Sequence, residues 1–416
     1  MNADKPYEEL ATAAQAAMFF AEQKGITSCA YNLTTVVDVT GDSASLDAGE
    51  VFRRLADATP ALRLRMGLDE WSGEVAYGFS RDKPEVVSID LDGADPEAVR
   101  VAVDEVAQRP FDADGGALAR FLIVRTAADR VHLAVICHHL CVDGISHARL
   151  ASRLGNAVEG PVPTEEEREY VGLVRDVRAL EQQAMVGDLD YWRRRVPAGF
   201  SPAVWRDGLA GEPASGLSLT PLDDRVVRRL GEAAQADQVR PFHILMAAVH
   251  SALPLVGDGP SVVSTAVSTR PLAQKEARVT GCFINEVPLQ AGPRSAATPR
   301  GIAVREGPGW REDLRRRYIP FTQLVGRAKR RDGDQSQLDT VIVSYRKSPR
   351  RLAWSSGGLE FAADLYPKFL EEKTDLVIRF FHYGDSMECD VQWGQRMPEG
   401  LGDAFARDLL TAMDSI

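Results

Sequence analysis

No stretch of this 416-residue chain approaches the ~20 consecutive apolar residues that span a bilayer, so no segment reads as a membrane helix. A basic leader is missing as well. Glu8, Glu9 and Glu22 sit among the first apolar residues, which argues against a secretory signal peptide. Positive charge is in deficit, with a formal net charge of −11, and that argues against non-specific nucleic-acid binding. Cysteine is scarce. Cys29, Cys137, Cys141, Cys282 and Cys389 form an odd, scattered set that offers no disulfide framework, so a reducing cytoplasm is expected. Most of these cysteines lie in apolar strand-like stretches and read as small buried hydrophobes. A Gly-x-Ser-x-Gly elbow is absent too, which weakens any hydrolase reading built on a Ser–His–Asp triad.

What is present is concentrated in residues 138–144, His138-His139-Leu140-Cys141-Val142-Asp143-Gly144. The apolar, β-branched run Val131–Cys137 before it predicts a buried strand. Apolar residues at helical spacing from Ile145 to Leu154 predict a helix after it. The histidines therefore stand at a strand-to-helix junction, where a rigid scaffold can present a side chain to a cleft. Imidazole titrates near neutrality and can take a proton from an attacking amine or hydroxyl. Asp143 is suited to fixing the loop by an ion pair, and Gly144 to a backbone angle that other residues avoid. Taken alone, the pair is as compatible with a hydrogen-bonded structural feature at a strand end. A metal site is disfavoured, because adjacent strand residues point to opposite faces and no third ligand follows at zinc spacing.

The seven-residue run resembles the HHxxxDG signature of condensation domains from non-ribosomal peptide synthetases, within the chloramphenicol-acetyltransferase-like acyltransferases. Further segments follow the same order. Ala14–Gln23 resembles that family's opening "PAQ…MWF…Q" helix, and Ala61–Met66 its "ALRTRF" segment. Arg109-Pro110-Phe111-Asp112 with Gly116–Arg120 is similar to "PFDL…GPLLR". In the second half, Ser268-Thr269-Arg270-Pro271 and Gly281–Leu289 resemble "GRP…GPFVNTLPLR", Ile319–Val325 resembles "hPFeqLV", and Lys373–Leu376 resembles "KFDL". Two departures stand out: no histidine precedes Leu62, and Gln290 replaces the usual arginine. Asp390-Val391-Gln392-Trp393-Gly394 looks like the DFGWG motif of plant-type acyltransferases, but a buried strand tryptophan explains it more cheaply.

The resemblance implies an α/β (α+β) fold of two chloramphenicol-acetyltransferase-like lobes, a V-shaped pseudo-dimer with the active site between them. The expected lobes are 1–164, carrying the histidine motif, and 165–416, divided where Gly160, Pro161 and Pro163 break the pattern. The implied reaction joins a carrier-bound acyl or aminoacyl thioester to an amine or alcohol in natural-product biosynthesis. The partners are an acyl or peptidyl carrier protein and a small-molecule acceptor. No bound cofactor or metal is expected, and the donor rides on a phosphopantetheine arm or on coenzyme A. His139 is the expected base and positioning residue, with His138 supporting the loop. Asp143 is expected to pair with Arg270, or second with Arg63, and Gly144 to offer a backbone N–H to the oxyanion. Asn285 and Ser344 are candidate substrate-binding residues, each equally readable as structural. Cys141 is weighed as a nucleophile and set low, and His147 is read as an ordinary polar helix residue.

Other readings stay open. A coenzyme A-dependent acyltransferase of the same superfamily uses the same pantetheine arm. An epimerase is disfavoured for want of a "PxGGxGYG"-like segment, and heterocyclisation because that branch carries aspartates in place of the histidines. A non-catalytic recruitment platform is disfavoured by the intact His139 and Asp143. The start at Met1 and the amphipathic stretch Leu401–Met413 favour a free-standing enzyme over an excised domain. Helices are expected at Glu165–Met185, Asp223–Ala236 and Pro241–Leu255, strands at Ser261–Val267 and Thr340–Tyr345, and a mobile segment at Ser295–Gly309. A basic set (Arg311, Arg315–Arg317, Arg327, Lys329–Arg331, Lys347, Arg350, Arg351) is either a solvated face or a docking surface for an acidic carrier protein.

Overall fold

The computed structural model describes residues 7–24, 29–41, 43, 46–196, 203–206, 212, 214–257, 259–271, 279–293, 298–325, 340–347, 349, 351–356, 358–364, 374–394 and 396–416. The elements run β1 (Glu9–Leu10), α1 (Ala13–Gln23), β2 (Asn32–Gly41), α2 (Ala48–Ala58), β3 (Leu64–Leu68), β4 (Val75–Phe79), β5 (Glu85–Asp90), α3 (Pro96–Ala107), β6 (Ala119–Ala127), β7 (Arg130–His138), α4 (Gly144–Glu159) and α5 (Glu167–Gly187). Then follow α6 (Leu189–Arg195), β8 (Gly216–Leu222), α7 (Asp224–Ala236), α8 (Pro241–Ala252), β9 (Ser261–Ser268), β10 (Ile284–Ala291), α9 (Pro299–Arg315) and α10 (Phe321–Val325). The chain closes with β11 (Val341–Lys347), β12 (Arg351–Ser356), β13 (Leu359–Asp364), β14 (Leu376–His382), β15 (Met387–Trp393) and α11 (Leu401–Asp414). The fold class is α/β, as the resemblance implied.

Two compact units result, and they do not divide the chain at one point. The first comprises Met1–Ala179, Arg270–Ile284 and Arg350–Glu371, and the second the remainder. The contiguous boundary expected at 164/165 differs from this because pairing partners lie far apart in sequence. β13 pairs antiparallel with β2, Phe361 opposite Val39, and so carries the 350–371 segment into the first unit.

The first unit is built on a six-stranded sheet in the order β12-β13-β2-β7-β6-β5, with a small β1-β4-β3 sheet beside it. Along β2 the alternation Leu33, Thr35, Val37, Val39 buries one face, the period-2 pattern of a half-covered strand. β7 lies between β2 and β6 and is buried almost throughout, as its continuous apolar run requires. Phe52 of α2 stacks on Phe121 of β6 with ring centroids 4.4 Å apart. Burying each such ring contributes on the order of 1.5–3 kcal/mol. α4 starts at an Asp143 cap and buries Leu150, Ala151, Leu154 and Ala157 at helical spacing.

The second unit holds the sheet β10-β9-β11-β14-β15-β8. Its α8 is buried nearly all round from His243 to His250, which its apolar sequence demands. Trp393 lies buried at the end of β15, so the DFGWG likeness reflects packing. The segment expected to be mobile at Ser295–Gly309 is instead mostly the first half of α9. Thr298 caps it by accepting from the Gly301 N–H, Pro299 takes the first position, and Ile302, Ala303 and Trp310 are buried along one stripe. Glycine and proline punctuation masked that stripe.

Candidate active site

The end of β7 separates the two histidines of the motif. His138 is the last residue of β7, opposite Asn32, and turns inward. Its ring packs against Tyr31 and Phe111, with centroids 5.6 Å and 6.3 Å apart. Nδ1 accepts the Leu140 N–H at 3.1 Å, which places the proton on Nε2, 3.4 Å from Glu22 Oε1. This is a sealed, structural histidine. His139 follows on the other side of the strand end and is only half-buried, while its own N–H donates to the Tyr31 carbonyl at 2.7 Å.

The turn between them and α4 is tied from within. Gln15 Nε2 donates to the Leu140 carbonyl at 3.0 Å and to the Tyr170 hydroxyl at 3.2 Å. Cys141 donates its thiol to the carbonyls of His138 and Leu118, at 3.1 Å and 3.3 Å. It is fully buried, and burial pushes the thiol well up from its ordinary range, so Cys141 is no nucleophile.

Asp143 is also buried, and both carboxylate oxygens accept hydrogen bonds. Oδ1 accepts the Ser146 N–H at 2.8 Å, capping α4. Oδ2 accepts the Phe283 N–H at 3.1 Å and pairs with the Arg270 guanidinium. Arg270 also donates to Ser146 Oγ at 2.9 Å and lies 4.7 Å above the Phe283 ring. Ser146 Oγ donates to the Gly281 carbonyl at 2.8 Å and accepts the Gly281 N–H at 2.9 Å. Residue 281 must be glycine for want of space: a Cβ there would sit 2.3 Å from the Phe283 ring and 2.9 Å from that of Tyr170. The segment 279–284 is thereby fastened to the start of α4.

Two expectations need correction. Arg63 does not approach Asp143. It donates to Glu167 at 2.9 Å and to the carbonyls of Ala56 and Ser80, bracing the short helical turn at Pro60–Arg63. Gly144 has no left-handed backbone, because Asp143 makes the turn in extended conformation and Gly144 is already the first helical residue. Its Cβ direction is open: among the described residues beyond its own helix and chain neighbours, no atom lies within 4 Å. The N–H groups of Gly144 and Ile145 are those that a helix start leaves without an intrahelical partner. His147 lies in α4 as expected; it is buried there and its Nε2 donates to the Thr34 carbonyl at 2.8 Å.

Asn285 and Ser344 lie in the second unit. Asn285 is buried, donates to the carbonyls of Arg317 at 2.8 Å and Ile319 at 2.6 Å, and accepts the Phe321 N–H at 3.3 Å. Both amide hydrogens are engaged in bracing the 317–321 turn, so the side chain is not placed to donate to a substrate. Ser344 stands half-buried on β11, opposite Arg379 of β14. Among the described residues no group of three or more histidine, cysteine or acidic side chains could hold a metal, and no helix is long and apolar enough to cross a membrane.

One neighbour of His139 escaped the sequence reading. Cys282 Sγ lies 3.8 Å from His139 Nδ1, although the two residues are 143 positions apart. Nothing in periodicity or spacing signals such a contact.

A family model described as the condensation domain matches residues 8–396. The chain is similar to chondramide synthase of Chondromyces crocatus, 24% identical over 91% of this chain and 10% of that one. It is also similar to the N-(5-amino-5-carboxypentanoyl)-L-cysteinyl-D-valine synthase of Amycolatopsis lactamdurans, 30% identical over 58% of this chain and 7% of that one. The chain thus spans a tenth or less of the length of these two relatives. Among solved structures, a variant of the starter condensation domain of rhizomide synthetase in complex with C8-CoA superposes with TM-score 0.76 at 20% identity, covering 98% of this chain and 95% of that one. The first condensation domain of the calcium-dependent antibiotic synthetase, in complex with a substrate analogue, gives TM-score 0.71 at 18% identity, covering 99% and 97%.

Proposed function

The chain belongs to the condensation-domain family, and on that premise we propose that it joins an acyl or aminoacyl thioester to an amine or alcohol acceptor. The observation that carries this is the contrast inside the motif: His138 is sealed, whereas His139 is partly exposed beside the capped start of α4. The acceptor heteroatom attacks the thioester carbonyl carbon, a C–N or C–O bond forms, and the C–S bond breaks. His139 takes the proton from the acceptor and returns it to the departing thiolate. A base so placed typically contributes a factor of about 10² to 10⁴, and holding both reactants in attack geometry up to ~7–11 kcal/mol. The N–H groups left over at Gly144 and Ile145 suit the developing oxyanion. The vacant space over Gly144 suits the narrow pantetheine arm that presents the donor.

The donor carrier in this reading is an acyl or peptidyl carrier protein in natural-product biosynthesis. A free coenzyme A thioester is a second reading, favoured by the C8-CoA bound to the rhizomide relative. Both carry the same arm. Only part of the basic set noted in the sequence lies among the described residues. Arg327, Lys329, Arg330, Arg331 and Arg350 lie outside the described residues. Arg315 and Arg316 pair with Glu312, Arg316 also with Asp188, and Arg317 donates to the Ser268 carbonyl.

The test is mass spectrometry of the protein incubated with C8-CoA, or with octanoyl-loaded carrier protein, and a panel of amines and alcohols. Release of free thiol matched by a new acyl–acceptor mass is expected. Thiol release with the acyl group appearing only as free acid, or no turnover with any donor, would overturn the reading.

A further inference from the structure

Cys282 is held by its neighbours more tightly than a buried cysteine needs to be. Gly281 before it is clamped through both its N–H and its carbonyl by Ser146 Oγ, and Phe283 after it donates its N–H to Asp143 Oδ2. The flanking peptides are thus both fixed to the first turn of α4, and the sulfur between them is fixed 3.8 Å from His139 Nδ1. A run of contacts therefore leads from the buried Asp143 to the ring of the half-buried histidine. The "GPFVN" segment that this stretch resembles has proline at the position of Cys282, with no atom able to share a hydrogen with imidazole. The contact depends on this departure from that pattern.

A cysteine beside a histidine invites a nucleophilic role. Burial excludes it, since Cys282 is only 1% exposed and an acyl carbon has no approach to its sulfur. What remains is control of the ring. Neutral imidazole carries one proton, and the partner of one nitrogen decides whether the other is an acceptor. We propose that Cys282 is a positioning residue for His139, its sulfur accepting the Nδ1–H so that Nε2 is left as the acceptor that faces the substrate. This rests on the acyl-transfer reading above only for what Nε2 then does. Sulfur is a weak, uncharged acceptor. It orients the ring without raising its basicity as a carboxylate partner would.

The experiment is ¹⁵N NMR of the full chain with labelled histidine, comparing wild type with Cys282→Ala and Cys282→Ser. Neutral His139 should carry its proton on Nδ1 in the wild type and shift toward Nε2–H in Cys282→Ala. Cys282→Ser, which keeps an acceptor, should fall between. In the transfer assay with C8-CoA, kcat should drop about tenfold in Cys282→Ala with KM for the thioester within about twofold, the lower range for lost partners that fix a histidine ring. If Cys282→Ala does not fold, Cys282→Val replaces it in both measurements. A wild-type His139 protonated on Nε2, or a tautomer or kcat that does not move in the alanine or valine variant, overturns the proposal. A wild type that shows the Nδ1–H tautomer yet transfers no acyl group would leave the positioning intact and remove the acyl-transfer reading instead.

Discussion

His138 and His139 are the same amino acid, one peptide bond apart, and the chain uses them oppositely. His138 lies 1% exposed between two aromatic rings, its Nδ1 committed to the turn that follows. His139 is half-buried, and the partner near its Nδ1 is the sulfur of Cys282, brought in from a distant segment. The difference lies in the strand end: His138 is the last residue of β7, a strand buried on both faces there, and His139 is the first residue beyond it. The sealed histidine makes the turn, and the turn places the open one. Asp143 completes the division by fixing the helix start and the 279–284 segment with a single carboxylate.

Removing that carboxylate should break the arrangement most severely. Asp143→Ala would leave the Arg270 charge buried without its partner, and breaking such a pair typically costs ~3–5 kcal/mol. Chemical denaturation should show a loss of that size, with transfer activity falling alongside. An unmoved unfolding midpoint with activity gone would assign Asp143 a direct chemical role.

A smaller effect contrasts His138 with another sealed histidine, His243 of α8. Neither ring nitrogen of His243 meets a partner among the described residues. Burial, aided by the nearby charges of Arg240 and Arg311, pushes its pKa down to about 4. The unfolded chain takes up a proton near pH 6.5 and the folded chain does not until about pH 4. Stability at this position is therefore whole above pH 6.5 and is lost as the pH falls through that window, by about 3 kcal/mol. His243→Leu should flatten the acid limb of a stability–pH profile between pH 6.5 and 4. The same slope in wild type and variant would show that other groups set the limb.

The smallest effect on stability falls on the open side. Gly144→Ala adds a methyl that meets nothing among the described residues, so the melting temperature should hold or rise slightly, by under ~1 kcal/mol in helix propensity. If the donor arm passes there, KM for the pantetheine thioester rises while stability does not. An unchanged KM would move the arm elsewhere.

Much of this was legible in the sequence because it is local. The apolar run through Cys137, the Asp143-Gly144 pair and the Leu150–Leu154 stripe predict the strand, turn and helix that the structure contains; that Asp143 caps the helix came only with the structure. The Arg270 partner came from the resemblance, and spacing could not have supplied it. What stayed hidden is long-range or disguised. β13 joins a strand more than three hundred residues earlier, and Cys282 meets His139 only through folding. The helix at Pro299–Arg315 was disguised by Gly301, Gly307, Pro308 and Gly309, although Thr298 followed by Pro299 is a readable start signal. Gly144 misled for a related reason: a glycine after aspartate suggests a strained turn, yet here the aspartate makes the turn and the glycine leaves room.

The central claim is that of two adjacent histidines only the open one acts on substrate. It is tested most directly by single-turnover acyl transfer from C8-CoA in His139→Ala and His138→Ala, each measured beside its own thermal melt. His139→Ala should melt like the wild type while its rate falls by about 10² to 10⁴. His138→Ala should melt lower, because it removes a buried ring that holds the turn, and its folded fraction should keep a rate much nearer the wild type. A His139→Ala protein that transfers the acyl group at close to the wild-type rate would contradict the claim.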